Sequence, residues 1–198
     1  MQQGSTEWLA WRKTKITASD APIIMDLSPY RTAYELWCEK LDLIEPQKSN
    51  PYMQRGLDLE ESAREEFENQ TGIYTIPRVI NHKKLDWFGA SLDGMDLAEE
   101  NIVEIKCNGP KIHSTVLMGN LPDHHYCQVQ HQIEAAGLNY SYYFSYDGLK
   151  GFEIKIKRNQ EFIDKMIEKE FEFWNCIRDF IPPKKTKRQK DITWLLNN

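Results

Sequence analysis

The chain reads Ser91-Leu92-Asp93-Gly94 and then, ten residues on, Glu104-Ile105-Lys106. An acid beside a turn glycine is followed by an acid and a lysine two positions apart. In residues 101–107 the alternation of a short strand puts Glu104 and Lys106 on one side. Val103 and Ile105 then fall on the other, facing a core. Two carboxylates and an ammonium converging at a strand edge can hold a divalent metal and a phosphate. Carboxylate and carbonyl oxygens suit a hard ion such as magnesium, and a lysine can orient an attacking water or neutralise a phosphoryl oxygen. A lone Glu-x-Lys on a strand is also a common solubilising surface pattern, so the chemistry has to be carried by other segments as well.

The elements that must position these residues read as a mixed α/β order. Helices are expected over 6–13, over 17–25 with Thr17 or Ser19 as cap, and over 32–41, with Pro29 as a break between the last two. The longest early helix starts with Asn50 as N-cap and Pro51 at its first position, runs to Gln70 and stops at Gly72. Leu59, Ala63 and Phe67 form its buried stripe, with Glu60 and Arg64 one position round. Gly56 in its interior costs about 1 kcal/mol relative to alanine, which predicts a close approach to the backbone there.

Strands are expected at 73–81, 86–97 and 101–107, then a helix over 123–137 with Gln128, His131 and Gln132 on one face and Val129, Ile133 and Ala136 on the other. Strands at 139–146 and 151–157 follow. A long helix carrying Phe162, Met166, Ile167, Phe171 and Trp174 closes the domain near Phe180. This order predicts a central sheet sandwiched by helices in one domain, 1–181, followed by a tail at 182–198.

Composition narrows the setting. At 198 residues with 40% hydrophobic content the chain can bury a real core. Cys38, Cys107, Cys127 and Cys176 are scattered without a CxxC pair, so they read as free thiols in a reducing compartment rather than as zinc or iron-sulfur ligands. No apolar run is long enough to span a bilayer and the N-terminus lacks a signal peptide's apolar stretch, which predicts a cytoplasmic protein without a membrane partner. The net charge of -5 argues mildly against binding nucleic acid by broad attraction. Positive charge is local, at Arg12, Lys13 and Lys15 and again between Lys184 and Lys190. His124, His125 and His131 are spaced poorly for a metal and are expected to be structural or on the surface. The tyrosines at 140, 142, 143 and 146 read as β-favouring residues before they read as base-stacking ones.

Four separated segments fit one site: Arg12 with Ile16-Thr17-Ala18-Ser19; Gly56-Leu57-Asp58-Leu59-Glu60; Asp93 with Glu104-Ile105-Lys106; and Gln128-Val129-Gln130. In this order and spacing the chain resembles the YqaJ-like viral recombinases, the family of the phage lambda exonuclease, within the PD-(D/E)XK nuclease superfamily. The resemblance covers roughly residues 5 to 180. Leu92 stands where the superfamily pattern has proline, a residue that shapes a turn and carries no chemistry.

The resemblance implies a restriction-endonuclease-like core, and a magnesium-dependent 5′-to-3′ exonuclease that digests one strand of duplex DNA. Manganese would substitute for magnesium, and two ions per site are implied. Asp93 and Glu104 would be metal ligands with the Ile105 carbonyl as a third. Lys106 would position or activate the attacking water, Glu60 would hold water beside the metal, and Gln128 matches a helical glutamine beside the lysine. Arg12, Ser19 and Ser91 match a pocket for the 5′-terminal phosphate. Met53 sits where the family carries an apolar wedge, and Arg31 would grip the entering strand. A homotrimeric ring around double-stranded DNA ends, a single-strand annealing protein as partner, and a phage or prophage origin in a bacterial cytoplasm are implied with it. Two other readings stay open: a restriction-type endonuclease of the same superfamily, and a non-catalytic DNA-end-binding scaffold for recombination.

Overall fold

Five strands of alternating side chains form one sheet in the order β1-β2-β3-β4-β5, as seen in a computed structural model that describes residues 1–45 and 50–184. The strands are β1 (Ile76–Asn81), β2 (Gly89–Met95), β3 (Ile102–Lys106), β4 (Tyr140–Tyr146) and β5 (Gly151–Lys157). Neighbours run antiparallel except β3 and β4, which are parallel. A parallel pair needs a long crossover, and helices α5 (Pro110–Leu117) and α6 (Asp123–Ala136) supply it. The remaining helices are α1 (Thr6–Lys13), α2 (Ala21–Ile24), α3 (Ala33–Lys40), α4 (Pro51–Thr71) and α7 (Gln160–Arg178).

Helices cover both faces of the sheet. Helix α4 lays Ala63 and Phe67 on Val103, Ile105, Phe144 and Tyr146. The opposite face packs Leu92, Ile102 and Tyr143 with Val129, Ile133, Ile163 and Met166. Each fully buried Ile, Leu or Phe contributes about 1.5–3 kcal/mol. The alternation in β3 is therefore real, but neither side of it faces water, and Glu104 is only 1% exposed beneath α6. Local signals set the helix ends as expected for α4: the Asn50 side chain accepts from the N–H groups of Tyr52 and Met53, Pro51 opens the helix, and Gly72 closes it at φ 72°. Thr32 and Glu35 form a capping box on α3.

Several expectations are corrected. Helix α2 begins at Ala21, because the hydroxyls of Thr17 and Ser19 are engaged elsewhere and residues 17–20 form a turn. The first strand starts at Ile76 and the second at Gly89. Helix α5 was not foreseen. On α7 the buried positions are Ile163, Met166, Glu170, Phe173 and Ile177, while Phe171 is 47% exposed. A hydropathy stripe could not include Glu170, which is buried because it pairs with His131 Nδ1 at 2.9 Å. Gly56 has nothing within 4 Å of where a Cβ would sit, so no close approach explains it. Gly94 lies within β2 and not in a turn: a Cβ there would come within 2.5 Å of Thr75 Oγ1 and 2.7 Å of Val103 Cγ1.

The four cysteines are free. Among the described residues no helix is long and apolar enough to cross a membrane. Of the basic tail expected at 182–198, residues 185–198 lie outside the described residues.

Candidate active site

The site begins where the sheet comes apart. Strands β2 and β3 pair only at Gly94 with Val103 and Met95 with Ile102. Beyond that point the Ile105 N–H donates to the Asp93 carboxylate at 2.9 Å. A side chain thus takes the place of a backbone acceptor, and the cleft opens between the splayed ends. Ser91 and Asp93 reach it from β2, and Glu104 and Lys106 from β3.

Glu104 gathers three donors. Gln128 Nε2 donates to Oε1 at 2.6 Å, Lys106 Nζ contacts the same oxygen, and Gln132 Nε2 donates to Oε2. Burial disfavours the Lys106 ammonium, but the Glu104 and Asp93 carboxylates outweigh it and raise its pKa. Asp93 behaves oppositely. Burial first, then the charges of Glu104 and Glu60, push its pKa well up against the opposing pull of Lys106 and the Ile105 N–H. Two carboxylates, Asp93 and Glu104, stand beside the single lysine of the cleft, Lys106, an arrangement suited to a cation. Burial, with Lys106 adding to it, pushes His125 down to about 2, so this imidazole is a neutral partner of the Tyr143 hydroxyl at 2.8 Å.

The same cleft, about 120 Å³ in volume, is lined by Arg12, Thr17, Ser19 and Trp8. Arg12 Nη2 donates to Ser19 Oγ at 2.9 Å, and its guanidinium lies 4.8 Å from the centre of the Trp8 ring. The Trp8 indole N–H donates to Ser91 Oγ at 3.1 Å. Ser91 accepts from the protein and so keeps its own O–H to donate to an anion. Ser19 accepts from Arg12 and lies 3.3 Å from the Thr17 hydroxyl, whose proton goes to Asp20. A buried ion pair fixes this corner. Lys40 Nζ donates to the carbonyls of Arg12 (2.7 Å) and Lys15 (2.8 Å) and to Asp20 Oδ2 (2.8 Å). Asp20 also accepts from the N–H and hydroxyl of Thr17.

Of the residues picked from sequence, Asp93, Glu104, Lys106, Gln128, Arg12, Ser19 and Ser91 converge on this cleft. Ile105 lies between the two acidic-site residues of β3, its N–H bound to Asp93. Glu60 stands behind it on α4, held by Arg64, whose Nη2 donates to Glu60 at 3.0 Å and whose Nε donates to the Asp93 carbonyl at 3.2 Å. Met53, 47% exposed on the first turns of α4, is not part of the cleft lining, and neither is Arg31, which pairs with Glu39 at 2.8 Å. Sequence reasoning did not assign Trp8, Arg64 or Gln132 to the site. Each stands four residues from one it did assign, on the same helical face, and that spacing was the available signal. His131 is structural, with its ring stacked 3.8 Å from Phe88 and Nε2 on the Gly89 carbonyl.

The donor set fits a hard, hydrated ion. Among the described residues no three His, Cys, Asp or Glu side chains gather as a cage. Magnesium takes one or two carboxylates and completes its shell with water and substrate phosphate, and Asp93 and Glu104 offer that number.

Residues 7–139 match the YqaJ-like viral recombinase domain. The YqaJ protein of Bacillus subtilis (strain 168) is 31% identical over 177 residues, covering 85% of this chain and 55% of that protein. The chain thus spans about half the length of that relative. Among solved structures, the alkaline exonuclease LHK-Exo from Laribacter hongkongensis is 29% identical with a TM-score of 0.74, over 89% of this chain and 94% of that one. Its complex with dAMP matches over the same shares with a TM-score of 0.75. A phage related exonuclease from Haemophilus somnus 129PT, 14% identical, has the same fold at a TM-score of 0.61 over 84% of this chain and 96% of that one. The mixed sheet flanked by helices is the PD-(D/E)XK arrangement of the alkaline exonucleases. With two thirds of its length matched, the chain belongs to the YqaJ-like viral recombinase domain family.

Proposed function

We propose that the protein is a magnesium-dependent 5′-to-3′ exonuclease that digests one strand of linear duplex DNA from a 5′-phosphorylated end. It would release 5′-mononucleotides and leave a 3′ single-stranded overhang for phage-type recombination. One observation carries this reading: a single cleft holds both the Asp93, Glu104 and Lys106 cluster and the Arg12, Ser19 and Ser91 group. The first suits phosphodiester hydrolysis, and the second suits a terminal phosphate.

Asp93 and Glu104 would hold magnesium, with manganese as a substitute and two ions sharing Asp93. Bound metal supplies Lewis-acid stabilisation and lowers the pKa of water from about 15.7 toward neutrality. Lys106 orients the attacking water and Gln128 keeps Glu104 turned to the cleft. Attack at phosphorus breaks the bond to the 3′-oxygen of the terminal nucleotide and leaves a phosphate on the 5′ end of the next one. Each cut therefore regenerates the group that Arg12, Ser19 and Ser91 receive. LHK-Exo crystallised with dAMP, a deoxynucleoside monophosphate of the kind this reaction releases.

A homotrimeric ring belongs to the same proposal. An acidic chain gains little from counterion release, so enclosing the duplex would supply persistence that charge does not. A single-strand annealing protein acting on the overhang, in a bacterial cytoplasm, completes it. The test is digestion of linear duplexes carrying 5′-phosphate or 5′-hydroxyl ends, in magnesium and in EDTA, beside closed circular DNA. Degradation of the phosphorylated linear substrate in magnesium is expected. Cutting of closed circles would instead indicate an endonuclease, and equal rates on both ends would remove the role of the Arg12 group. Solution mass measures the trimer.

A further inference from the structure

We propose that Gln132 is a positioning residue of the metal centre, one that pins the inner oxygen of Glu104 so that the outer oxygen is presented to the cation. This rests on the nuclease reading above. The two oxygens of Glu104 are treated differently. Oε1 meets Lys106 and Gln128, both of which line the cleft; Oε2 meets Gln132, which does not line it and is 0% exposed. Oε1 therefore faces the cleft and Oε2 faces the interior. A ligand carboxylate offers a cation one oxygen in a fixed direction only if something holds the other.

Gln132 does this at a cost to the fold. It sits between Val129 and Ile133, both fully buried, in a place where an apolar side chain would pack. Its own Oε1 is buried without a hydrogen-bond partner. An unpaired buried acceptor costs about 1–3 kcal/mol. Turning the amide over would not relieve it, because Oε1 would then face a carboxylate oxygen, acceptor against acceptor. Among the described residues the amide hydrogen-bonds to Glu104 alone. Gln128, one turn earlier and partly open to the cleft, shares its oxygen with Lys106 and carries less of the restraint.

The test uses the full chain and Mn2+ as probe, with binding measured without DNA by electron paramagnetic resonance, and thermal unfolding recorded on the same samples. In Gln132→Met, Mn2+ affinity is expected to fall about 10–100-fold, the usual effect of removing a partner that orients a metal ligand. Cleavage is expected to recover as Mn2+ is raised, with the KM for DNA unchanged. Gln132→Asn keeps the amide but cannot reach as far, and the same loss is expected if the Met variant does not fold. Wild-type Mn2+ affinity in a folded Gln132 variant, whatever its melting temperature, overturns the assignment and leaves the nuclease reading intact. A wild-type protein that neither binds Mn2+ nor cuts DNA overturns the nuclease reading itself.

Discussion

Lys40 and Lys106 each contact a carboxylate that is almost wholly buried, Asp20 at 4% and Glu104 at 1% side-chain exposure. Their surroundings differ in what is left over. All three protons of Lys40 are committed, to the carbonyls of Arg12 and Lys15 and to Asp20, and its side chain is 5% exposed. Lys106 meets Glu104 and keeps 30% of its side chain open to the cleft. Asp20 in the first cluster and Asp93 in the second are shifted in opposite directions. Burial opposes the charge on Asp20, yet Lys40 and Arg12 outweigh it and hold the pKa down to about 2. Asp93, beside Glu104 and Glu60, is pushed up. A fully compensated pair fixes shape, whereas an undercompensated one with open valence invites a cation and a substrate.

The largest test of this contrast is Lys106→Ala. Loss of a charged group aimed at the reacting centre is expected to lower the cleavage rate on the order of 10²–10³-fold. Binding to a 5′-phosphorylated end, measured by fluorescence anisotropy, is expected to stay near wild type. Wild-type turnover by this variant would remove the role given to Lys106 and erase the contrast.

Asp20→Asn probes the other pair. It leaves Lys40 buried without its counter-charge, and breaking such a pair costs about 3–5 kcal/mol. Urea unfolding is expected to show this loss directly, with a fall in melting temperature of roughly 10 °C at this chain length. Activity per folded molecule on 5′-phosphate ends is expected to fall as well, since the Thr17 to Asp20 turn carries Ser19. An unchanged unfolding curve would show that the pair is not what holds this corner.

The same pair sets a pH dependence. Asp20 has a folded pKa below its ordinary value of 3.8, so its contribution is present above about pH 4 and is lost as pH falls through about 2. The size is about 2 kcal/mol, the difference between the two pKa values expressed as free energy. Wild-type stability measured from pH 5 to pH 2 is expected to decline more steeply than that of Asp20→Asn. Parallel curves would mean that other carboxylates govern acid unfolding.

The contrast was only half legible in the sequence. Helix caps, strand alternation and the acid-acid-lysine spacing act over a few residues, so Asn50, Gly72, Glu104 and Lys106 were placed by local rules. Lys40 was not singled out, because its three acceptors lie between 20 and 28 residues away in the chain and two of them are backbone carbonyls. Glu170 was invisible for a similar reason: a buried carboxylate reads as surface until its partner His131 is known. Gln132 was grouped with Gln128 on a polar face of its helix, but α6 is buried on both sides, and periodicity cannot say that Gln132 meets a carboxylate. Gly94 beside an acid reads locally as a turn residue, and only the packing of Thr75 and Val103 shows that it makes room within a strand.

The smallest effect expected is at Arg31, and it sharpens the rule that distinguishes the two lysines. The resemblance gave Arg31 a grip on the entering strand. In the structure its guanidinium is 2.8 Å from Glu39 and 3.4 Å from the Glu35 carbonyl, and its side chain is 17% exposed. It is a committed cation, closer to Lys40 than to Lys106 in its surroundings. Arg31→Ala is therefore expected to cost about 0–1 kcal/mol of stability and to leave cleavage within a few-fold of wild type. The decisive measurement is the salt dependence of DNA binding. A phosphate-contacting arginine lowers the slope of log affinity against log salt by about one when removed, and a committed one leaves it unchanged. A reduced slope would show that DNA draws Arg31 away from Glu39, and that commitment within the free protein does not by itself separate structural cations from functional ones.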